Sequence, residues 1–265
     1  MKICLTIAGS DPVGGAGLQA DIKTFCAYRV FGMAVPTAIT IQNTGGLSGI
    51  EALPGSLVAR QLEFLLSDVR PDAVKIGMTA TGEVAEAVAD GLKGLAAPVI
   101  LDPILRAWDG CSMLDDRGLK ILRERLIPIA ALVTPNLDEA SILSGVDARD
   151  IEGMKEAASA IRAMGAKAVL VKGGHLLGRA VDVLSGPDGV IEFDSARLTG
   201  RLAHGTGCAL SAAIAAGLAL GLDLAQAVRR AKSFVTLALQ NGFEDIGRGR
   251  MQLNHLVRVP TGNSE

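Results

Sequence analysis

The chain has 265 residues, 49% of them hydrophobic and 20% charged, enough to bury a large core in one α/β domain over 1–265 with a polar tail at 258–265. A formal net charge of -2 and a pI near 6.0 leave no basic surface for nucleic acid and point to a small-molecule partner. Cys4, Cys26, Cys111 and Cys208 show neither Cys-x-x-Cys spacing nor a disulfide framework, which suits a reducing cytosol; neither the short apolar start nor the run 209–221 is long enough for a signal or membrane segment.

Lys2 to Ala8 reads as a buried strand feeding the glycine-rich loop 9–17, and Leu18 to Val30 follows with Leu18, Ile22 and Phe25 on one helical face. Met33 to Gln42 is the next strand and ends in a polar turn at 42–46. Helices over 55–69, 82–95 and 114–126 then alternate with strands over 72–76, 98–102 and 130–133. Helices at 137–144 and 151–164, a strand at 168–172 and a hairpin of 181–185 with 190–194 come next. The final helices are 207–221 and 223–240, the second with Asp223 as N-cap. This alternation predicts right-handed crossovers and a mostly parallel sheet covered on both faces. Ligands of such sheets sit beyond the carboxyl ends of the strands. Loops 9–17, 42–46, 77–79, 102–110, 134–139, 172–175 and 204–208 are therefore expected to share one rim.

The chemistry concentrates in His204-Gly205-Thr206-Gly207-Cys208, which leads straight into a small-residue helix. Glycines let consecutive N–H groups face one concavity, and a helix start adds unpaired donors and the positive dipole end, so the stretch suits phosphate. Gly-Thr-Gly also serves as plain turn chemistry. A thiol in a first helical turn is expected to have a depressed pKa, which would make Cys208 a base or nucleophile near neutral pH. Asn136 and Glu139 read as a capping box, as holders of Mg²⁺ through waters, or as both. Asp102 is a second carboxylate for metal or phosphate waters, or a turn residue. Lys172, ending an apolar strand beside two glycines, is placed to neutralise phosphate. His175 and His204 suit hydrogen bonding better than a metal pair. Asp21 and Gln42 offer a carboxylate and an amide to an aminopyrimidine or similar ring, or are surface polar residues. The Walker lysine is missing from loop 14–17, which disfavours a P-loop fold.

Ile7-Ala8-Gly9-Ser10-Asp11, Gly14 to Phe25, Gln42-Asn43-Thr44, Lys75-Ile76-Gly77-Met78, Leu101-Asp102-Pro103, Thr134 to Ala140, Val171 to His175 and His204 to Cys208 run in order along the chain. Together they resemble the hydroxymethylpyrimidine/phosphomethylpyrimidine kinases, the thiamine-biosynthesis branch of the ribokinase superfamily. The resemblance implies a ribokinase-like three-layer α/β sandwich, ATP with Mg²⁺, two successive phosphorylations and a homodimer. It implies an anion hole at Gly205, Thr206, Gly207 and Cys208, with Cys208 as base. Lys172, Asp102, Asn136 and Thr206 would meet ATP and phosphate; Glu139, Asn136 and Asp102 the metal; Gly9, Asp21, Gln42 and Met78 the pyrimidine. Three stretches depart from the family pattern: Ile104 to Gly110, with Arg106 and the sole tryptophan; Arg197 to Ala203; and Gly247 to Met251. They bear on substrate preference. A pyridoxine or pyridoxal kinase is the alternative, and a non-catalytic ligand-binding regulator on the same fold is another.

Overall fold

In the computed structural model, β1 (Ile3–Ser10), β2 (Phe31–Asn43), β3 (Gly46–Ala52), β4 (Ala73–Ile76), β5 (Val99–Leu101), β6 (Leu132–Val133), β7 (Val169–Val171), β8 (Ala180–Gly186) and β9 (Gly189–Ser195) form one sheet. Their order is β3-β2-β1-β4-β5-β6-β7-β8-β9. The structure describes residues 1–107, 110–174, 176, 180–195 and 203–260. β1 pairs in parallel with both β2 and β4, and the parallel run continues through β5, β6 and β7. β3, β8 and β9 are antiparallel extensions at the two edges. Because the chain leaves β1 first toward β2 and later returns to its other side, the order reverses at β1. Loops open a crevice at such a point.

Among the described residues eight α-helices follow in chain order: α1 (Gly17–Ala27), α2 (Gly55–Asp68), α3 (Gly82–Gly91), α4 (Asp116–Ile121), α5 (Leu137–Ser144), α6 (Ile151–Ala163), α7 (Thr206–Ala219) and α8 (Leu224–Gln240). Alternation along the strands divides the core. Leu5, Ile7, Val74 and Ile76 pack with Val58 and Leu62 of α2, Val84 and Val88 of α3, and Met154 and Ile161 of α6. Cys4, Ala73, Ile100, Leu132 and Leu170 face the opposite layer, with Phe25 of α1, Ala212 to Ala216 of α7 and Phe234 of α8. The three-layer α/β architecture with a mostly parallel sheet is thus as expected from the sequence.

α7 explains its own composition. It is buried nearly all round, between α1, α8 and the sheet, so it carries small side chains on every face. Gly217 lets it close on α8, since a Cβ there would stand 3.1 Å from that of Ala227. Asp223 caps α8 as predicted, in a reciprocal box with Gln226.

Two local readings differ from the sequence expectation. The helix expected over 114–126 is only α4, because Asp115 accepts the Gly118 N–H and starts it late. A wide π turn (Leu122–Leu126) and a tight 3-10 turn with Pro128 then close the segment. The turn at 42–46 continues into β3, an edge strand whose Gly-Leu-Ser-Gly-Ile-Glu-Ala has no alternating apolar face to announce it.

The Tyr28 and Phe234 rings meet edge-on at 5.4 Å and lock α1 to α8. Phe234→Ala should cost about 3–5 kcal/mol, read as a lower urea midpoint with an unchanged slope; an unshifted midpoint would show that this contact does not hold the layer.

Candidate active site

The carboxyl ends of β2, β1, β4, β5, β6 and β7 deliver, in that spatial order, Gln42, Gly9, Met78, Asp102, Asn136 and Lys172 to one cleft of about 280 Å³. Gly205, Thr206, Gly207 and Cys208 at the start of α7 complete its wall, and Glu139 lines it from α5. Six loops converge because the parallel strands end on the same side of the sheet, and the seventh is the stretch that leads into α7.

Of the helix starts that face this cleft, two have no side-chain cap: α1 begins after Ala16 and α7 after Gly205. Their first-turn N–H groups are left for other acceptors. Asp11 accepts the N–H groups of Gly15 and Ala16, in the loop just before α1, at 3.0 and 2.9 Å. The Gly17 N–H points at the Cys208 sulfur, so the thiol lies between two positive helix ends. The loops dock too closely for side chains. Gly17 has φ +56 and a Cβ there would sit 2.2 Å from Gly9 O; Gly205 has φ +81 and its Cβ would sit 1.7 Å from Gly15 O.

These donors do not bring the thiol into the neutral range. Burial pushes Cys208 up to about 11, against the pull of the Lys75 ammonium and the Gly17 N–H, with Asp21 and Asp102 adding to the rise. The expectation of a depressed pKa is corrected: desolvation outweighs the helix ends.

Lys172 and Asp102 form the charged centre. Lys172 Nζ lies 3.0 Å from Asp102 Oδ1, and the Thr134 and Ser211 hydroxyls each donate to the same carboxylate at 3.2 Å. Burial would raise the Asp102 carboxyl, but the ammoniums of Lys172 and Lys75 and these hydrogen bonds hold it below its ordinary value. Burial would lower Lys172, yet Asp102 and Glu139 keep it above the usual lysine range. The pair rests against Gly207, where a Cβ would stand 3.2 Å from Lys172 Nζ. Asn136 and Glu139 form the capping box: the Asn136 side chain accepts the Glu139 N–H at 2.9 Å and the Glu139 carboxylate accepts the Asn136 N–H at 2.8 Å. Burial pushes Glu139 up to about 7, partly offset by Lys172.

At the other end, Gly9 lies against Met78, whose Cε would be 2.2 Å from a Cβ at Gly9. The Gln42 amide nitrogen and Asp11 Oδ2 lie 2.7 and 3.2 Å from His204 Nε2. Asp21 is not at this surface, correcting its expected place at the rim. It is fully buried below the floor, where Thr6 donates to it at 2.6 Å and Lys75 at 2.8 Å. His175 falls outside the described residues, as do Trp108, Asp109 and 196–202.

Three residues escape a reading of local sequence. Lys75 points from β4 toward α1 and is fully buried, which strand alternation hints at because it shares the parity of Ala73. Burial would lower its pKa, but Asp21 and the neighbouring Cys208 and Asp102 hold it above the usual range. Asp11 is the acceptor that shapes the glycine loop. Arg250 reaches the cleft because β10 (Ala203–His204) pairs with β11 (Met251–Gln252), a two-residue ribbon with no sequence signal. Among the described residues no three His, Cys, Asp or Glu side chains gather into a metal cage, and no helix is long and apolar enough to cross a membrane.

Residues 11–254 match the family model described as phosphomethylpyrimidine kinase. The hydroxymethylpyrimidine/phosphomethylpyrimidine kinase of Rhizobium meliloti (strain 1021) is 44% identical over 259 residues, covering 97% of each chain. Among solved structures, the phosphomethylpyrimidine kinase of Clostridium difficile 630 superposes with a TM-score of 0.81 at 39% identity, over 90% of this chain and 99% of that one. The Staphylococcus aureus pyridoxal kinase in complex with ADP superposes at 0.88 with 35% identity, over 97% and 94%.

Gly205→Ala should lower stability by about 1–3 kcal/mol, from a left-handed φ and the collision with Gly15, measured by urea unfolding. An unaltered midpoint would mean that the two loops are not docked this tightly.

Proposed function

The chain belongs to the phosphomethylpyrimidine kinase family and is a phosphotransferase, and on that premise we propose that it phosphorylates 4-amino-5-hydroxymethyl-2-methylpyrimidine with ATP, then its monophosphate, in thiamine biosynthesis. The observation that carries this reading is the meeting, in one cleft, of an uncapped helix start at Gly205 to Cys208 with the Lys172–Asp102 pair and the Asn136–Glu139 box. Phosphoryl transfer asks mainly for positioning and neutralisation of phosphate charge. Gly205, Thr206 and Gly207 offer backbone N–H groups to the moving phosphoryl group, and Lys172 offers its ammonium beside them. Gly9, Gln42 and Met78 hold the ring of the alcohol. Asp21 acts from below the floor through Lys75.

Magnesium fits this chain as a hydrated ion and not as one in a protein cage. Asn136 Oδ1 is already spent on the Glu139 N–H, and Asp102 already accepts from Lys172, Thr134 and Ser211. Glu139, Asn136 and Asp102 would therefore hold it through waters and the substrate phosphates. When bound, it neutralises charge on the transferring phosphates.

Cys208 accepts the hydroxyl proton only as thiolate. With the thiol near 11, the thiolate share at neutral pH is on the order of one in ten thousand and rises tenfold per pH step. Lys75, the largest influence lowering that value, is assigned to support the thiolate. The chain is further proposed to work in the cytoplasm and as a homodimer, for which the exposed Phe31, Ile39 and Ile41 of β2 offer an apolar surface.

The similarity to the ADP-bound Staphylococcus aureus pyridoxal kinase favours pyridoxal phosphorylation as the second reading. ADP release measured with the pyrimidine alcohol, its monophosphate and pyridoxal separates the two; turnover confined to pyridoxal overturns the first. Cys208→Ala should keep ATP binding and lose at least about 100-fold in turnover, the scale of a missing general base. The wild-type rate should climb with pH from 6.5 to 9 without a plateau, and a flat profile would remove the thiolate from the mechanism. In Lys75→Gln, iodoacetamide alkylation of Cys208 should set in at higher pH than in the wild type; coincident profiles would show that Lys75 does not act on the sulfur.

A further inference from the structure

The chain leaving β5 is one of the three stretches that depart from the family pattern, and it enters the cleft wall at Arg106. Its course there is fixed. Leu105 and Leu114 are buried in the core on either side, the Met113 N–H donates to Leu105 O at 2.9 Å, and the Ala107 N–H donates to Cys111 O at 2.8 Å. Arg106 and Ser112 are antiparallel neighbours across this neck. Arg106 is exposed, and it lines the same cleft as Lys172, Gly207 and Cys208.

Its charge differs from that of Lys172, which Asp102 holds at 3.0 Å. Among the described residues Arg106 enters no ion pair, although Asp138 and Asp147 border a neighbouring hollow with it; Arg149 takes Asp147 at 3.5 Å. Its place is equally specific. β5 lies between the strands that deliver Gln42, Gly9 and Met78 and the strands that deliver Asn136 and Lys172. A guanidinium on the chain leaving β5 therefore stands between the ring end of the cleft and its phosphate end.

We propose that Arg106 selects the phosphorylated acceptor for the second transfer, its guanidinium holding the phosphate that the first transfer attached. The assignment rests on the reading of the cleft as a pyrimidine kinase. In the first transfer the acceptor is a neutral alcohol, which must lose a proton. In the second it is a phosphate monoester, whose second pKa of about 6 makes it mostly a dianion at neutral pH. An oxygen of that dianion attacks the γ-phosphorus of ATP, the bond from this phosphorus to the oxygen bridging it to the β-phosphorus breaks, and ADP leaves with the bonding pair. No proton has to move, but two anions have to meet. A cation with no ion-pair partner, between the ring and the nucleotide phosphates, answers that need, and a planar fork grips a phosphate by two oxygens.

Initial rates of ADP release with the pyrimidine alcohol and with its monophosphate test it. Arg106→Ala should lower the ratio of kcat/KM for the monophosphate to kcat/KM for the alcohol at least about tenfold, the scale of one charged hydrogen bond. A loss of folded protein scales both rates alike and leaves this ratio untouched. Arg106→Lys, which keeps the charge without the fork, should fall between the two. Calorimetric titration of the monophosphate in the absence of ATP should show the same loss of affinity in Arg106→Ala. An unchanged ratio, or equal affinity in wild type and Arg106→Ala, overturns the assignment. A KM for ATP that rises equally with both acceptors overturns it too, since the guanidinium then serves the nucleotide. A wild type that turns over the alcohol and not the monophosphate overturns the assignment and leaves the first transfer standing; one that turns over neither overturns both.

Discussion

The close packing of α7 is the constraint from which the rest of the site follows. A helix of alanine and glycine can be buried on every face, and only such a helix fits between α1, α8 and the sheet. Once seated, its first turn points across the carboxyl ends of the strands, and its N–H groups have no side chain of their own to bond. The glycine loop after β1 is drawn against Gly205 at backbone distance, and the cleft is what remains between them. Small residues in the core are thus the means by which unpaired backbone donors reach an open surface.

Around that arrangement the chain buries charge, which is costly unless geometry repays it. Lys75 with Asp21, and Lys172 with Asp102, are ion pairs at 2.8 and 3.0 Å, and all four groups sit within the electrostatic reach of one sulfur. A well-packed apolar substitute would often be as stable. These pairs therefore give the site fixed charges of known sign and place in a low-dielectric setting, where each acts further than it would in water.

Much of this was legible in the sequence. Buried strands such as Ile3–Ser10, the helix faces of α1 and α2, and the boxes at Asn136 and Asp223 are set by neighbours one to four residues apart, which a linear reading captures. Convergence of the strand-end loops followed from the parallel sheet alone, and so did the presence of Gln42, Asp102 and Lys172 at one rim. What escaped depends on neighbours far along the chain. Asp21 reads as a carboxylate for the ring or for the surface, and its burial rests on Lys75, 54 residues away. The charge state of Cys208 turns on desolvation, which no local pattern encodes. β3 was missed because an edge strand of glycine and serine is defined by its pairing with β2, and Arg250 because a two-residue ribbon carries no period.

The burial of Cys208 has a further effect, on durability. The thiolate, not the thiol, attacks peroxides and disulfides, so a sulfur kept protonated and mostly covered is slow to oxidise. Cys26 and Cys111 stand exposed on the surface, where oxidants arrive first. The chain can thus keep a sulfur at the heart of its cleft without making that cleft the first casualty of oxidative stress.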